Sequence, residues 1–195
     1  IAEKVGRTAE EIIKLDANEN PYGLSPSARK ALAVLRWGNI YPDPESRALR
    51  QAIASFISVP VEYVLAGAGA DELIDLVLRV ILTPADSVLV APPTFGMYAF
   101  DARINGATVL EVPRNPDFSL NVDEMSRVVQ QFQPRAVLLA SPNNPDGRLL
   151  TPEELQVIFS WNTLVVLDEA YIEFCDGGSL GEQISQIRQP LTREN

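Results

Sequence analysis

An aspartate at the end of an apolar run is the residue of this sequence that most directly suggests chemistry. Asp168 follows the run "TLVVL", with Glu169 next and Tyr171 close behind. A carboxylate buried at the end of a strand is costly unless a cation or a strong hydrogen-bond donor pairs with it. A positively charged nitrogen of a ligand would be one such partner. The ordinary alternative is an aspartate that caps a following helix.

A second segment, "SPNNPDG", runs from Ser141 to Gly147 and also follows an apolar run. One Asn-Pro pair is enough to make a turn, so a second asparagine invites another explanation. Asn144 is placed to offer its side-chain amide above a sheet, while Pro145 and Gly147 hold the turn. We interpret the segment as a ligand-holding loop, with plain turn chemistry as the alternative.

Two further segments have weaker signals. In "LAGAGADELIDL", two glycines precede a helix that we expect to begin near Ala70, with Asp71 and Glu72 in its first turn. Free N–H groups at a helix start suit a phosphate, although Glu72 stands where a dinucleotide fingerprint needs its third glycine. In "PPTFGMYAF", Phe95 could lie flat against a planar ligand, and Tyr98 follows it. An acidic helix cap and ordinary core packing are the respective alternatives.

The elements that position these residues follow from hydrophobic periodicity. Apolar runs of strand length lie at 63–66, 87–91, 108–112, 136–140 and 163–167. Between them we expect helices, including one through "DELIDLVLRVIL" with Leu73, Leu76, Val77 and Val80 on one face. Further helices are expected from Pro26 to residue 35, over 45–56, and after caps at Asn121 and Thr151. This alternation predicts an α/β three-layer sandwich with a mostly parallel sheet, which binds ligands at the carboxyl ends of its strands.

Composition narrows the class of protein. The chain has 195 residues, 46% of them hydrophobic and 22% charged, which is typical of a soluble globular protein. Its net charge of -10 argues against nucleic-acid binding, and its apolar runs are too short to span a membrane. There is no histidine, so we expect no metal site. Cys175 is the one cysteine, which favours a cytoplasmic location.

Taken together and in order, the four segments resemble those of the fold-type I pyridoxal-phosphate aminotransferases of class I/II, and within them the histidinol-phosphate aminotransferase group. The resemblance covers residues 12–174 and also includes "LDANENPYG" and "IYPDPES". It implies a pyridoxal 5'-phosphate cofactor, a homodimer, and a large domain preceded by an N-terminal arm. We expect residues 1–40 to form the arm with its first helix, and residues 41–195 to form the first part of the large domain.

The resemblance also implies roles for individual residues. Asp168 would bond the protonated ring nitrogen of the cofactor, and Asn144 and Tyr171 would reach its phenolic oxygen. Phe95 would stack on the ring, in a position where many members of the family have tyrosine. The remaining assignments are Ala70, Asp71 and Glu72 at the cofactor phosphate, Tyr41 at the phosphate across a dimer interface, and Asn20 and Tyr22 near the substrate.

Two departures from the family pattern stand out. Asp146 occupies a position where the broader family usually has threonine. The family's Schiff-base lysine should lie well after "DEAY", whereas the lysines of this sequence are Lys4, Lys14 and Lys30. No residue of this chain is therefore assigned as catalytic. We expect the C-terminal part of the large domain to be absent, and this chain alone to be inactive.

The activity implied by the resemblance is transamination between histidinol phosphate or imidazole-acetol phosphate and 2-oxoglutarate or glutamate, in histidine biosynthesis. The partners would be a small-molecule amino donor and an oxo acceptor. Three alternatives remain open at this point. They are a truncated, non-catalytic relative, a decarboxylase of a phosphorylated amino acid, and an aromatic aminotransferase.

Overall fold

The structure is a computed structural model, and it describes residues 2–14, 17–36, 38–176 and 179–180. The chain divides into two units, the first ending at Pro44 and the second beginning at Glu45. The boundary expected from the sequence lay after residue 40. The interpretation of these units as an arm and part of a large domain stays a prediction.

The first unit contains one α-helix, α1 (Pro26–Ala33), and 3₁₀ turns at Glu3–Val5 and Ala9–Glu11 among its described residues. Ser25 caps α1 by accepting a hydrogen bond from the backbone N–H of Ala28, at 3.2 Å. The helix ends two residues before the expected position, residue 35. None of the described side chains in this unit is buried, so these elements rest on local hydrogen bonds rather than on a hydrophobic core.

The second unit alternates helices and strands. Its helices are α2 (Arg47–Phe56), α3 (Ala70–Ile81), α4 (Met97–Ile104), α5 (Val122–Phe132) and α6 (Pro152–Ile158). Its strands are β1 (Ser87–Val90), β2 (Thr108–Glu111), β3 (Ala136–Ala140) and β4 (Leu164–Asp168), and 3₁₀ turns lie at Val61–Tyr63 and Ile172–Phe174. Within the described part of the chain, no helix combines the length and apolar character required to cross a bilayer.

The four strands form one parallel sheet in the order β2-β1-β3-β4. The chain runs from β1 to β2 on one side, and then returns to place β3 on the other side of β1. Strand order therefore reverses between β1 and β3. In open α/β sheets the crevice at such a reversal, beyond the carboxyl ends of the strands, is where ligands bind.

Helices cover both faces of the sheet, which confirms the predicted three-layer sandwich. Side chains of successive strand residues point to opposite faces. Val88 and Val90 pack in one core cluster with residues of α3 and α4, whereas Leu89 packs in another with residues of α5 and α6. The side chains of Val88, Leu89 and Val90 are almost completely buried. Packing on both faces of the sheet thus fixes the positions of the carboxyl ends of its strands.

The predicted helix caps are confirmed at α5 and α6. The side chain of Asn121 accepts a hydrogen bond from the N–H of Glu124 at 3.2 Å. At α6, Thr151 accepts from the N–H of Glu154 at 3.2 Å, and Glu154 accepts from the N–H of Thr151 at 2.8 Å. These reciprocal bonds form the expected capping box, with Pro152 in the first turn of the helix.

The strand predicted at 63–66 is wrong. Val61–Tyr63 forms a 3₁₀ turn, and the residues after it have no strand partner in the described structure. A strand needs a hydrogen-bonded neighbour, and here a side chain takes that place. The guanidinium of Arg50 donates to the carbonyl oxygens of Val64, at 2.7 Å, and Val61, at 3.0 Å.

The most buried residues of α3 are not the four that the sequence pattern places on one face. Val80 is 78% exposed and Leu76 is 40% exposed, whereas Ile74 and Leu78 are buried in the core. Ile81 packs partly buried against the same core cluster. Because apolar residues occupy most of the circumference of this helix, periodicity alone could not select the face that meets the sheet.

Candidate cofactor site

A pocket lies at the reversal of strand order. Its lining residues come from the start of α3, the segment after β1, the ends of β3 and β4, and the loops that follow those strands. They are Ala70, Asp71, Phe95, Tyr98, Ala140, Pro142, Asn144, Asp168, Ala170 and Tyr171. Six of the eight predicted cofactor residues are in this set: Ala70, Asp71, Phe95, Asn144, Asp168 and Tyr171.

Asp168 is held in place by two neutral donors. Its Oδ2 accepts a hydrogen bond from the hydroxyl of Tyr98 at 2.7 Å, and its Oδ1 accepts from the backbone N–H of Ala170 at 2.9 Å. The side chain is half-buried rather than fully buried. Because neither donor carries a charge, they orient the carboxylate without cancelling its negative charge. The carboxylate can therefore still pair with a cationic group of a ligand in the pocket.

Tyr98 also lines the site, and sequence reasoning assigned it no role there. Its side chain is 1% exposed, and burial together with the neighbouring charge of Asp168 raises the pKa of its hydroxyl above the usual value of 10.0. Tyr98 therefore remains a neutral donor. The ring of Phe95 packs against it edge to face, with centroids 5.5 Å apart. The available signal was its position one helical turn after Phe95.

The two asparagines of "SPNNPDG" have different surroundings. Asn144 lines the pocket, whereas Asn143 is 2% exposed and is not one of the lining residues. The side-chain oxygen of Asn143 accepts from the hydroxyl of Thr94 at 2.8 Å, and its amide donates to the carbonyl of Pro93 at 3.1 Å. Sequence reasoning assigned a role to Asn144 alone and missed Asn143.

Asp146 also contributes to this loop. Its carboxylate accepts hydrogen bonds from the side-chain amide of Asn143 and, at 2.9 Å, from the backbone N–H of Arg148. Asp146 therefore closes the turn by accepting hydrogen bonds from a side chain on one side and a backbone N–H on the other.

The start of α3 offers backbone donors to the pocket. Gly69 precedes the helix with φ 89° and ψ 176°, a conformation that is essentially restricted to glycine. The N–H groups of the first turn have no acceptor within the helix, and Ala70 and Asp71 line the pocket. Glu72 is outside the lining set. Its carboxylate turns back to accept from the N–H of Ala68 at 2.5 Å.

The remaining predicted residues lie in the first unit. The Asn20 side-chain oxygen accepts from the N–H of Tyr22 at 2.9 Å, and its amide donates to the carbonyl of Gly23 at 3.1 Å. Tyr22 is 89% exposed and Tyr41 is 98% exposed. The roles expected for Asn20, Tyr22 and Tyr41 stay predictions.

Asp101 lies in α4 and is not one of the residues that line the pocket. Asp101 is buried, and desolvation raises its pKa, with smaller contributions from the charges of Asp75 and Asp71. Among the residues that the structure describes, no group of three or more histidine, cysteine, aspartate or glutamate side chains is arranged to hold a metal ion. The pocket combines the carboxylates of Asp71 and Asp168 with aromatic rings, an amide and a helix start, and Asp168 with the helix start suits an organic anion that has a cationic ring nitrogen.

This combination of fold and pocket agrees with the comparisons to known proteins. The family described as aminotransferase class I and II matches residues 10–192. The chain therefore belongs to the aminotransferase class I and II family.

Among individual relatives, the chain is similar to histidinol-phosphate aminotransferase 1, chloroplastic, of Arabidopsis thaliana. The two are 52% identical over 174 residues, which cover 89% of this chain and 42% of that protein. The chain thus spans less than half the length of that relative.

Solved structures agree with the fold. The histidinol-phosphate aminotransferase of Sinorhizobium meliloti, in complex with pyridoxal-5'-phosphate, matches with a TM-score of 0.74 and 27% identity, over 80% of this chain and 44% of that one. The aspartate aminotransferase of Thermotoga maritima matches with a TM-score of 0.80 and 25% identity, over 93% of this chain and 52% of that one.

Proposed function

We propose that this chain supplies the pyridoxal-phosphate pocket of a histidinol-phosphate aminotransferase. The observation that carries the proposal is the half-buried carboxylate of Asp168 at the end of β4, in one pocket with Phe95, Asn144, Tyr171 and the start of α3. In a mostly parallel α/β sheet this is the position at which ligands bind. The family membership of the chain supports the same cofactor.

The donor set fits pyridoxal phosphate group by group. A protonated pyridine nitrogen needs an anionic partner, and Asp168 has two neutral donors that leave its charge available. A flat ring needs a flat apolar wall, which Phe95 provides, and a phosphate needs N–H donors, which the first turn of α3 provides. When bound, this cofactor supplies an electron sink for the bonds at the substrate's α-carbon.

The residues of this chain then have distinct tasks. Asp168 holds a proton on the ring nitrogen, while Tyr98 and the N–H of Ala170 fix the orientation of its carboxylate. Asn144 and Tyr171 bind the phenolic oxygen of the ring. These five groups position the cofactor and set its protonation, and the catalytic lysine belongs to a part of the enzyme outside this chain.

The phosphate end of the site draws on backbone groups. We assign the N–H groups of Ala70, Asp71 and Glu72 to the cofactor phosphate, since they lie in the first turn of α3. Tyr41 is assigned to the phosphate of a neighbouring subunit, so the working unit is a homodimer. Light scattering of the complete enzyme at micromolar concentration should report a dimer, and a stable, active monomer would refute this assignment.

The proposed reaction transfers the amino group of histidinol phosphate to 2-oxoglutarate, which gives imidazole-acetol phosphate and glutamate, and it also runs in reverse. The identity of 52% to a histidinol-phosphate aminotransferase over 89% of this chain supports this substrate. It does not favour a phospho-amino-acid decarboxylase, an aromatic aminotransferase or a non-catalytic relative. We assign Asn20 and Tyr22 to substrate binding. A cytoplasmic location is a separate proposal.

The first test replaces Asp168 with asparagine, which keeps the shape of the side chain and removes its charge. In the complete enzyme, Asp168→Asn should lower turnover by orders of magnitude, because the ring nitrogen loses the partner that keeps it protonated. Turnover is measured with histidinol phosphate and 2-oxoglutarate, and circular dichroism checks the fold.

The matched control is Asp123→Asn, at an exposed aspartate in the first turn of α5. It makes the same chemical change away from the pocket and should leave turnover within about twofold, as is usual for exposed positions without special contacts. Near-normal turnover of Asp168→Asn would refute the assignment of Asp168.

A further inference from the structure

Two loops that carry pocket residues are joined by one buried side chain, that of Asn143. The first loop follows β1 and carries Phe95, and the second follows β3 and carries Asn144. Asn143 belongs to the second loop but bonds to the first. Its side-chain oxygen accepts from the hydroxyl of Thr94 at 2.8 Å, and its amide donates to the carbonyl of Pro93 at 3.1 Å.

Asn143 also closes its own loop. Its backbone N–H donates to the carbonyl of Arg148 at 2.9 Å, and its carbonyl accepts from the N–H of Gly147 at 2.7 Å. Its side-chain amide further donates to the carboxylate of Asp146. Both side-chain donors and the side-chain acceptor are therefore used at a position that is 2% exposed. A buried amide with every partner in place rigidifies its surroundings, because losing one partner leaves a costly unpaired group.

The hydrogen bond between Thr94 and Asn143 lies, at each end, one residue away from a residue that lines the pocket. Thr94 is followed directly by Phe95, and Asn143 is followed directly by Asn144. The backbone between each pair is a single peptide unit, which has only a few soft torsions. Fixing Thr94 against Asn143 thus limits how far the Phe95 ring and the Asn144 amide can move apart.

We infer that Asn143 is a positioning residue that sets the spacing between Phe95 and Asn144, and through it the affinity for a planar aromatic phosphate. This inference rests on the proposed function for the identity of the ligand, whereas the coupling of the two loops is independent of it. Neither Asp nor Ala can replace the residue, since both lack the amide that donates to Pro93 and Asp146.

The experiment compares Asn143→Ala and Thr94→Val with Val129→Ala, a control that removes core volume on the opposite face of the sheet. Hydrogen exchange of residues 92–98 and 143–148, measured without cofactor, reports whether the loops loosen. Thermal unfolding of all three variants shows how much overall stability each of them has lost. Equilibrium binding of pyridoxal phosphate to the complete enzyme then shows whether the change in the spacing of Phe95 and Asn144 alters the affinity.

In Asn143→Ala both loops should exchange about tenfold faster while β3 does not, because each loop loses a bond to the other. Pyridoxal phosphate should bind about tenfold more weakly, and Thr94→Val should have a smaller effect of the same kind. Val129→Ala should lower stability without selectively faster exchange in the two loops and without weaker binding of pyridoxal phosphate.

The inference is overturned if Asn143→Ala loosens only residues 143–148, if its exchange rises evenly as in Val129→Ala, or if a binding-competent enzyme keeps its affinity after the loops loosen. A wild-type enzyme that binds no pyridoxal phosphate would refute the proposed function instead. In that case the exchange of the two loops still decides whether Asn143 couples them.

Discussion

The buried hydroxyl of Tyr98 makes the stability of this protein depend on pH in the alkaline range. Its folded pKa is raised by burial and by the charge of Asp168, whereas the unfolded pKa is about 10. Above pH 10 the unfolded chain releases this proton and the folded chain keeps it, so the unfolded state is stabilised relative to the folded state. We expect the free energy of unfolding to fall by about 1.4 kcal/mol for each pH unit above 10. Urea unfolding between pH 8 and 11.5 measures the slope.

The matched variant is Tyr98→Phe, which keeps the ring and removes the titrating group. It should be less stable than wild type at pH 8, because Asp168 loses a hydrogen bond, and its stability should change less above pH 10. All other titrating groups are the same in the two proteins, so the difference between their pH profiles reports Tyr98. Parallel pH profiles for the two proteins would contradict this account.

At the scale of single residues, the sequence predicted those site residues that can be recognised from their position after a predicted strand. Asp168 and Asn144 each follow a predicted strand, and both line the pocket. Tyr98 and Asn143 were not predicted, because their partners are remote in sequence. Tyr98 bonds Asp168 across 70 positions, and Asn143 bonds Thr94 across 49. Contacts of this kind depend on strand order, which no local pattern encodes.

The start of α3 is the element whose geometry depends most on one residue. Gly69 has φ 89° and ψ 176°, and a Cβ added there would meet no atom within 4 Å. Any cost of Gly69→Ala therefore comes from the backbone, and we expect a loss of about 1–3 kcal/mol in stability. Relaxation of the strained turn should also weaken binding of pyridoxal phosphate. Denaturant unfolding and equilibrium dialysis measure the two effects.

Gly96, which precedes α4, is a suitable control. Its φ of -66° is open to every residue type, and an added Cβ would again meet no atom within 4 Å. Gly96→Ala should change stability by no more than about 0.5 kcal/mol. Equal losses at the two positions would show that the backbone of Gly69 is not strained for alanine.

At the scale of elements, helix starts were predictable and sheet membership was less so. The caps at Asn121 and Thr151 are decided within four residues, and both were predicted correctly. The apolar run at 63–66 has the composition of a strand, yet it joins no sheet in the described structure. The guanidinium of Arg50 binds the carbonyl of Val64 in the run and that of Val61 before it. The composition of a segment shows which secondary structures it can form, and its contacts in the folded chain decide which one it forms.

At the scale of the whole molecule, the lysines and the pocket belong to different units. Lys4, Lys14 and Lys30 all precede Glu45, and Lys14 is ion-paired with Glu19 at 2.6 Å. A Schiff base requires an amine held at the aldehyde of the cofactor. We therefore expect this chain, made by itself, to form no specific imine with pyridoxal phosphate. Borohydride reduction followed by peptide mapping tests this.

A complete enzyme treated in the same way is the positive control and should carry one pyridoxyl group on a lysine outside this chain. Stoichiometric labelling at Lys4, Lys14 or Lys30 alone would show that the assignment of the catalytic amine is mistaken.

Strand β4 has a consequence for the handling of this chain. It pairs with β3 from Leu164 to Asp168, and no other strand among the described residues pairs with its second edge. Its apolar sequence "LVVLD" has no proline and one charge, at its end, and all five residues are half-buried. A row of unpaired N–H and C=O groups on such a strand is a template for another extended chain. Aggregation of this chain at high concentration should therefore begin by edge-to-edge growth of the sheet at β4.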